Sequence, residues 1–241
     1  MFKGKRVAAV VPAYNEAALI DRVIRNMPQF IDNVIVIDDK STDDSARIVS
    51  ESNDARISLI RHETNQGLGA TLVSGYEMAL NLGADLVVVM AGDDQMDPHY
   101  LPHLLGPICD GSTDVTKGNR YFSRASLRHM PRHRVIGGLV LTWLTRLASG
   151  YWRLHDSQNG YVAFSVPTLR KVRLRSLATG YAVENAMLIE LGRVRARVLD
   201  VPIPARYGSE QSTMRLIKVV PAILGTILAG LAGRIYRAVR R

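Results

Sequence analysis

Residues 86–98 read LVVVMAGDDQMDP, an apolar run rich in β-branched side chains that breaks into Asp93, Asp94, Gln95 and Asp97. The first half has the composition of a buried parallel strand, apolar on both faces. The second half offers only oxygen donors, the ligand type that a hard divalent cation such as Mg²⁺ or Mn²⁺ takes. Carboxylates just beyond the carboxyl end of such a strand lie where open α/β sheets bind ligands. Two further apolar runs end in the same way. RVAAVVP at 6–12 leads into Tyr14, Asn15 and Glu16, and NVIVI at 33–37 into Asp38, Asp39, Lys40 and Ser41. Each alone reads equally well as a strand–turn–helix junction, because Asp and Ser cap helices. Three of them together say more, because parallel strands share a direction and bring their polar ends to one edge.

A second chemistry lies downstream. Residues 117–134, KGNRYFSRASLRHMPRHR, carry Lys117, Arg120, Arg124, Arg128, Arg132 and Arg134 and no acid. A guanidinium fork binds phosphate in a bidentate way, so this stretch suits either a phosphate ligand or a solvated basic face. The chain's positive charge is divided among separate segments rather than set along one helix with interleaved aromatics, and nucleic acid is not an expected partner.

The elements that must position these residues follow from periodicity. Strands are expected at 6–12, 33–37, 56–61 and 86–90, with helices at 16–27, from 41–43 through 49, and at 70–82. The rhythm is β-α-β-α-β-α-β, which predicts a doubly wound, mostly parallel sheet flanked by helices. Beyond residue 100 the spacing predicts helices at 101–110, 134–149 and 181–192, and strands at 114–117, 161–166 and 194–203. The C-terminus differs in kind. VVPAILGTILAGLAG, residues 219–233, is uncharged and is followed by Arg234, Arg237, Arg240 and Arg241. Fifteen such residues fall short of the roughly 20 that span a bilayer comfortably. The expectation is an interfacial helix at 213–241, held to anionic headgroups by arginine, after an α/β domain at 1–212; the alternative is a terminal helix buried on that domain.

The 241 residues are 47% hydrophobic, enough for a sizeable core, with a net charge of +9. That total conceals an asymmetry: residues 1–100 hold 9 Lys/Arg against 15 Asp/Glu, and residues 101–241 hold 22 against 7. The acidic half contains the candidate metal site and the basic half suits an anionic partner. A single cysteine, Cys109, excludes an internal disulfide framework and fits a reducing compartment. Met1–Arg6 is basic, but the apolar run after it is too short for a secretory signal, and none is expected.

VVPAYNE, VIDDKSTDDS, NQGLGATLVSGYEMA and MAGDDQMDP, in this order and spacing, resemble the family 2 glycosyltransferases of GT-A fold, within them the dolichol- and polyprenol-phosphate sugar synthases. The resemblance covers roughly residues 6–210. It implies that Pro12, Tyr14, Glu16, Ile37, Asp39 and Gly92 line a nucleotide site. It implies that Asp93, the second acid of an Asp-x-Asp motif, and Gln95 hold Mg²⁺ or Mn²⁺. Ala91 stands where the motif's first acid belongs, so Asp94 or Asp97 compensates or the donor diphosphate supplies more of the ligands. GNR at 118–120 and Arg134 match acceptor-side arginines. HDSQNGYVAF resembles a block in which Asp156 orients sugar or acceptor. GYAVENAMLIEL places Glu184 at a helix start, where it can meet sugar hydroxyls. VPIPARYGSEQSTM resembles a loop that closes over the diphosphate, with Arg206 as its arginine and Arg215 near a missing lysine.

The resemblance implies inverting transfer of a sugar from a UDP- or GDP-sugar to a polyprenyl phosphate, at the cytoplasmic face of a membrane. A phosphate monoester, with a second pKa of about 6, is already a nucleophile at neutral pH. A hydroxyl acceptor would need a base, for which Asp156 and Glu184 are the candidates. Against that alternative stands the absence of the Gln-x-x-Arg-Trp signature of processive synthases. A third reading, a degenerate domain that binds nucleotide without catalysis, follows from Ala91.

Overall fold

The computed structural model describes residues 1–122, 127, 130–204 and 216–239, with the side chains of 134 and 216–218 outside that description. β1 (Val7–Ala13), α1 (Ile20–Arg25), β2 (Asn33–Asp38), α2 (Ser45–Ser50), β3 (Ile57–Arg61), α3 (Leu68–Asn81) and β4 (Leu86–Val89) form the expected alternation. β1, β2, β3 and β4 pair in parallel, in register Val10↔Ile35 and Val10↔Val89, so the ends of β1, β2 and β4 meet at one edge. α4 (Leu101–Cys109), β5 (Val115–Asn119), α5 (Arg132–Ser149), β6 (Val162–Ser165), α6 (Val166–Leu169), α7 (Val183–Arg193) and β7 (Val198–Pro202) follow.

The seven strands lie in the order β3-β2-β1-β4-β6-β5-β7. β6 runs antiparallel to both β4 and β5, while β5 and β7 are parallel to each other. β1 shows why the centre is apolar on both faces: Ala8 and Val10 join one core cluster, and Val7, Ala9 and Val11 join the other. Period-2 alternation delivers neighbouring side chains to opposite layers, and both layers are covered by helices.

Where the elements depart from expectation, a local cause is visible. α1 starts at Ile20 rather than residue 16, because the backbone N–H groups of Asn15, Glu16 and Ala17 donate to Ser41, Ser45 and Asp43 instead of opening a helix. β7 starts at Val198 because Arg195 turns the chain at φ 58°. α6 and the 3₁₀ turn Leu174–Ser176 are too short to show a period.

The last helix, α8 (Leu216–Val239), exceeds the uncharged run at both ends. By length and composition Val219–Val239 can cross a membrane. Along that length, however, Ile223 and Ile227 pack with Ala148 of α5 and Ala182 before α7. Arg234, expected as a headgroup anchor, donates from Nη1 to the Leu147 carbonyl at 2.7 Å and caps the end of α5, beside the left-handed Gly150. α8 therefore lies along the domain. The expected boundary at 212/213 falls outside the described residues.

Candidate active site

The three converging strand ends are tied to one another. β1, β2 and β4 lead into the left-handed residues Asn15 (φ 58°), Lys40 (φ 64°) and Asp94 (φ 57°). Asn and Asp tolerate this region, whereas a lysine there costs about 1–2 kcal/mol and needs its surroundings to hold it. Asn15 N–H donates to Ser41 Oγ at 2.9 Å, and Asn15 Oδ1 accepts from Thr42 N–H at 2.8 Å. Gly92 N–H donates to the Pro12 carbonyl at 3.2 Å, and a Cβ at Gly92 would press on that same oxygen at 3.1 Å. A side chain at 92 would thus crowd the contact between the ends of β4 and β1. Tyr14 projects into solvent above this edge. Ile37 is fully buried in the core, so only its backbone borders the site.

Glu16, after β1, and Asp93, after β4, lie near enough for their charges to interact. Burial, then the charge of Asp93, then that of Asp43, push the Glu16 carboxyl up to about 7. The folded protein thus keeps this proton up to about pH 7, whereas the unfolded chain releases it near 4.5. Between those values the native state binds more protons, so stability falls as pH rises and the loss is complete above 7. Glu16→Gln is expected to melt higher than the wild type by a margin that grows from pH 4.5 to 7 and is constant beyond it. Thermal unfolding across that range measures it, and a pH-independent margin would show that Glu16 is not held neutral.

Asp93 Oδ1 also accepts from the Gln95 N–H at 3.1 Å, which folds the loop back on itself. The two acids considered as substitutes at Ala91 have other partners. Asp94 is buried and pairs with Arg22 Nη2 at 2.6 Å. Asp97 caps the 3₁₀ turn Pro98–Tyr100, accepting from His99 N–H at 3.0 Å. Ala91 N–H itself meets Met96 Sδ, and the buried Tyr161 hydroxyl donates to the Asp97 carbonyl at 3.0 Å. Among the described residues no three His, Cys, Asp or Glu side chains gather in a metal-binding group. The donor set that does gather is Asp93 with Glu16 beside it and Gln95 adjacent. Two carboxylates fit a hard cation that takes its remaining ligands from substrate phosphates and water.

Asp39 is buried and closely held. Its Oδ1 accepts from Gln66 N–H at 2.9 Å and lies 2.7 Å from His62 Nδ1, and its Oδ2 accepts from Gly67 N–H at 2.7 Å. It anchors the turn into α3 at the edge where β1, β2 and β4 end. Gly67 (φ 87°) and Gly69 are needed there: a Cβ at Gly69 would fall within 1.8 Å of the Ala178 carbonyl oxygen. Asp38, also buried, pairs with Arg61 Nε at 3.1 Å. His62, whose Nε2 meets Ser74 Oγ at 2.9 Å, went unrecognised in the sequence. Its only signal there was its place directly after an apolar strand.

On the other side of the sheet the predicted residues pair with one another. Arg120 grips Asp156 through Nε (2.7 Å) and Nη2 (3.0 Å), and its backbone N–H donates to the same carboxylate. The Asp156 side chain is 0% exposed and that of Arg120 is 26% exposed, so the guanidinium covers the acid and carries the accessible surface. Glu184, at the start of α7, accepts from Lys117 Nζ at 2.6 Å. Lys117, read in the sequence as part of a stretch suited to a phosphate ligand or a solvated basic face, is 2% exposed and also donates to the Asn159 carbonyl. Gly160 is near enough that a Cβ there would lie 3.6 Å from Glu184 Oε1. Arg134 lies in the first turn of α5. Arg206, Arg215, Arg124 and Arg128 lie outside the described residues.

Residues 8–173 match the family model described as Glycosyl transferase family 2. The chain is 30% identical over 218 residues to the UDP-N-acetylglucosamine–dolichyl-phosphate N-acetylglucosaminyltransferase of Methanococcus voltae, covering 84% of this chain and 86% of that one. It is 26% identical over 203 residues to the undecaprenyl-phosphate mannosyltransferase of Micrococcus luteus, covering 82% of each. Glucosyl-3-phosphoglycerate synthase from Mycobacterium tuberculosis, crystallised with Mn²⁺, uridine diphosphate and phosphoglyceric acid, superposes with a TM-score of 0.74. That match has 22% identity and covers 95% of this chain and 79% of that one. At this identity it shows the fold, a GT-A-like sheet.

Proposed function

The chain belongs to glycosyl transferase family 2 and is a glycosyltransferase, and from that premise we propose that it transfers a sugar from a UDP- or GDP-sugar to a polyprenyl phosphate. One observation carries the choice of acceptor. The two acceptor-side carboxylates that a hydroxyl would need as base are both engaged: Asp156 under Arg120, and Glu184 on Lys117. What that side presents is a braced guanidinium. An acceptor already ionised at neutral pH needs the guanidinium and not the base. The relatives named above act on dolichyl and undecaprenyl phosphates, which agrees with it.

In this reading the diphosphate lies at the joined ends of β1, β2 and β4. Pro12, Tyr14, Gly92 and the turn held by Asp39 border the nucleotide, and Arg206 is assigned to the diphosphate from the resemblance of its loop. Asp93, Glu16 and Gln95 would hold Mg²⁺ or Mn²⁺, with Glu16 standing in for the acid absent at Ala91. When bound, the cation neutralises charge on the departing diphosphate. Arg120 binds the acceptor phosphate, with Arg134 as a second cation, and orients it toward the anomeric carbon. The phosphate oxygen forms the new glycosidic bond from the face opposite the breaking one, so configuration inverts, and no proton need be removed. Asp156 is a positioning residue that fixes the Arg120 fork.

The purified chain is expected to move label from a nucleotide sugar into an organic-extractable polyprenyl phosphate when Mg²⁺ or Mn²⁺ is present. Labelling only a hydroxyl acceptor, across a panel of UDP- and GDP-sugars, would overturn the lipid-phosphate reading.

A further inference from the structure

α5 turns an apolar stripe outward. Its inner side carries buried polar side chains, Thr142, Thr145 and Ser149, beside Ala148, which meets α8. Ser157 N–H donates to Thr142 Oγ1 at 3.1 Å, and Asn185 Nδ2 donates to Thr145 Oγ1 at 2.7 Å. Its outer face is apolar, with Ile136, Leu139, Val140 and Trp143 all exposed. These recur at i, i+3, i+4 and i+7, the spacing of one helical stripe. A helix of a water-soluble domain turns its apolar stripe inward, so this one is built to face something other than water. α8 packs beside it and adds exposed Leu224 and Leu228. Among the described residues, ten of the sixteen large exposed hydrophobic side chains lie on these two helices.

We propose that the outer face of α5, together with α8, is a docking platform for an anionic lipid bilayer, with Trp143 set at its interface. The charge around it selects that occupant. Leaving out Lys117 and Arg120, which are paired with Glu184 and Asp156, residues 121–155 and 211–241 contain no Asp or Glu, while they hold six Lys/Arg each. Such a surface repels a second copy of itself and attracts anionic headgroups. Both tryptophans of the chain, Trp143 and Trp152, are here, each 55% exposed. Tryptophan favours the headgroup level, where its ring is part apolar and part wet. The inner face of α5 holds Ser157, next to Asp156 and hence to Arg120, so docking brings the acceptor side within about a helix diameter, ~10 Å, of the lipid. The proposal shares with the reading above only the premise of a membrane-resident acceptor, and vesicles lacking polyprenyl phosphate test it separately.

The full chain carrying Trp152→Phe leaves Trp143 as the only tryptophan. With phosphatidylethanolamine/phosphatidylglycerol vesicles its emission is expected to shift to the blue, and brominated acyl chains are expected to quench most of it. Ile136→Asp with Val140→Asp, at exposed positions that leave the melting temperature unchanged, is expected to weaken vesicle partitioning by about tenfold or more. Three results would each overturn the proposal: vesicle binding with Trp143 emission unchanged, which leaves α8 as the sole anchor; a dimer in solution whose Trp143 is already blue-shifted, which gives the face to a second copy; and no binding to anionic vesicles.

Discussion

Asp93→Asn is expected to lower the transfer rate by about 10²–10³-fold, the range seen when one preorganised charge-stabilising group is lost at a reacting centre. The substitution is nearly isosteric. The asparagine amide keeps an oxygen to accept the Gln95 N–H that Asp93 Oδ1 now receives at 3.1 Å, so the loop keeps its shape. What is lost is one negative charge beside Glu16, in a site where the described residues gather no group of three metal-binding side chains. The same charge helps hold Glu16 protonated to about pH 7. The variant should therefore lower the pH at which Glu16 ionises while it loses metal affinity. Two measurements separate these effects. Initial rates against Mg²⁺ or Mn²⁺ should show a higher half-saturating concentration and a reduced plateau. The melting temperature at pH 8, without metal, should equal or slightly exceed the wild type, since like-charge repulsion is relieved. Near-wild-type turnover would remove Asp93 from the metal site. A collapse of the melting temperature would make it a structural residue.

The strand ends were legible because both signals that mark them are local. LVVVM, NVIVI and RVAAVVP are apolar on both faces only because helices cover both sides of the sheet. Polar residues begin where each strand leaves that sandwich. Parallel order then forces Asp93, Glu16 and Asp39 to one edge without any knowledge of tertiary contacts. Side-chain partnership was not legible, because it is set by pairs far apart in the chain. Lys117 and Glu184 are 67 residues apart, and nothing near Lys117 in the sequence marks it as internal. Its neighbours Arg120, Arg124 and Arg128 made it look like one more surface cation. Asp156 was expected to orient sugar or acceptor, and to act as a base only for a hydroxyl acceptor, while its burial under Arg120 depends on the turn between α5 and β6 meeting the end of β5. The antiparallel β6 was hidden for a similar reason: composition does not carry strand direction. α5 was read as helical and apolar, but periodicity does not reveal which face looks outward.

Lys117→Met is expected to destabilise the fold by about 3–5 kcal/mol, the cost of leaving a buried charge without its partner. For a domain of this size that is a fall in melting temperature of roughly 6–20 °C. The side chain is 2% exposed, its Nζ lies 2.6 Å from Glu184 Oε2, and the same Nζ holds the Asn159 carbonyl. Methionine fills similar volume, so the loss is electrostatic and not a cavity. Adding Glu184→Met removes the orphaned carboxylate, and the double variant is expected to recover to within about 1–2 kcal/mol of the wild type. Stability and activity should then part company. Asn159 lies in the turn that presents Asp156 to Arg120, and its backbone carbonyl loses its anchor in both variants. The double variant should therefore melt near the wild type yet transfer more slowly, with a weakened apparent affinity for the acceptor and that for the nucleotide sugar unchanged. If it instead recovers full activity with its stability, the pair serves the core alone. If the double variant is as unstable as Lys117→Met, the missing Asn159 anchor, rather than the unpaired carboxylate, is what the fold cannot spare.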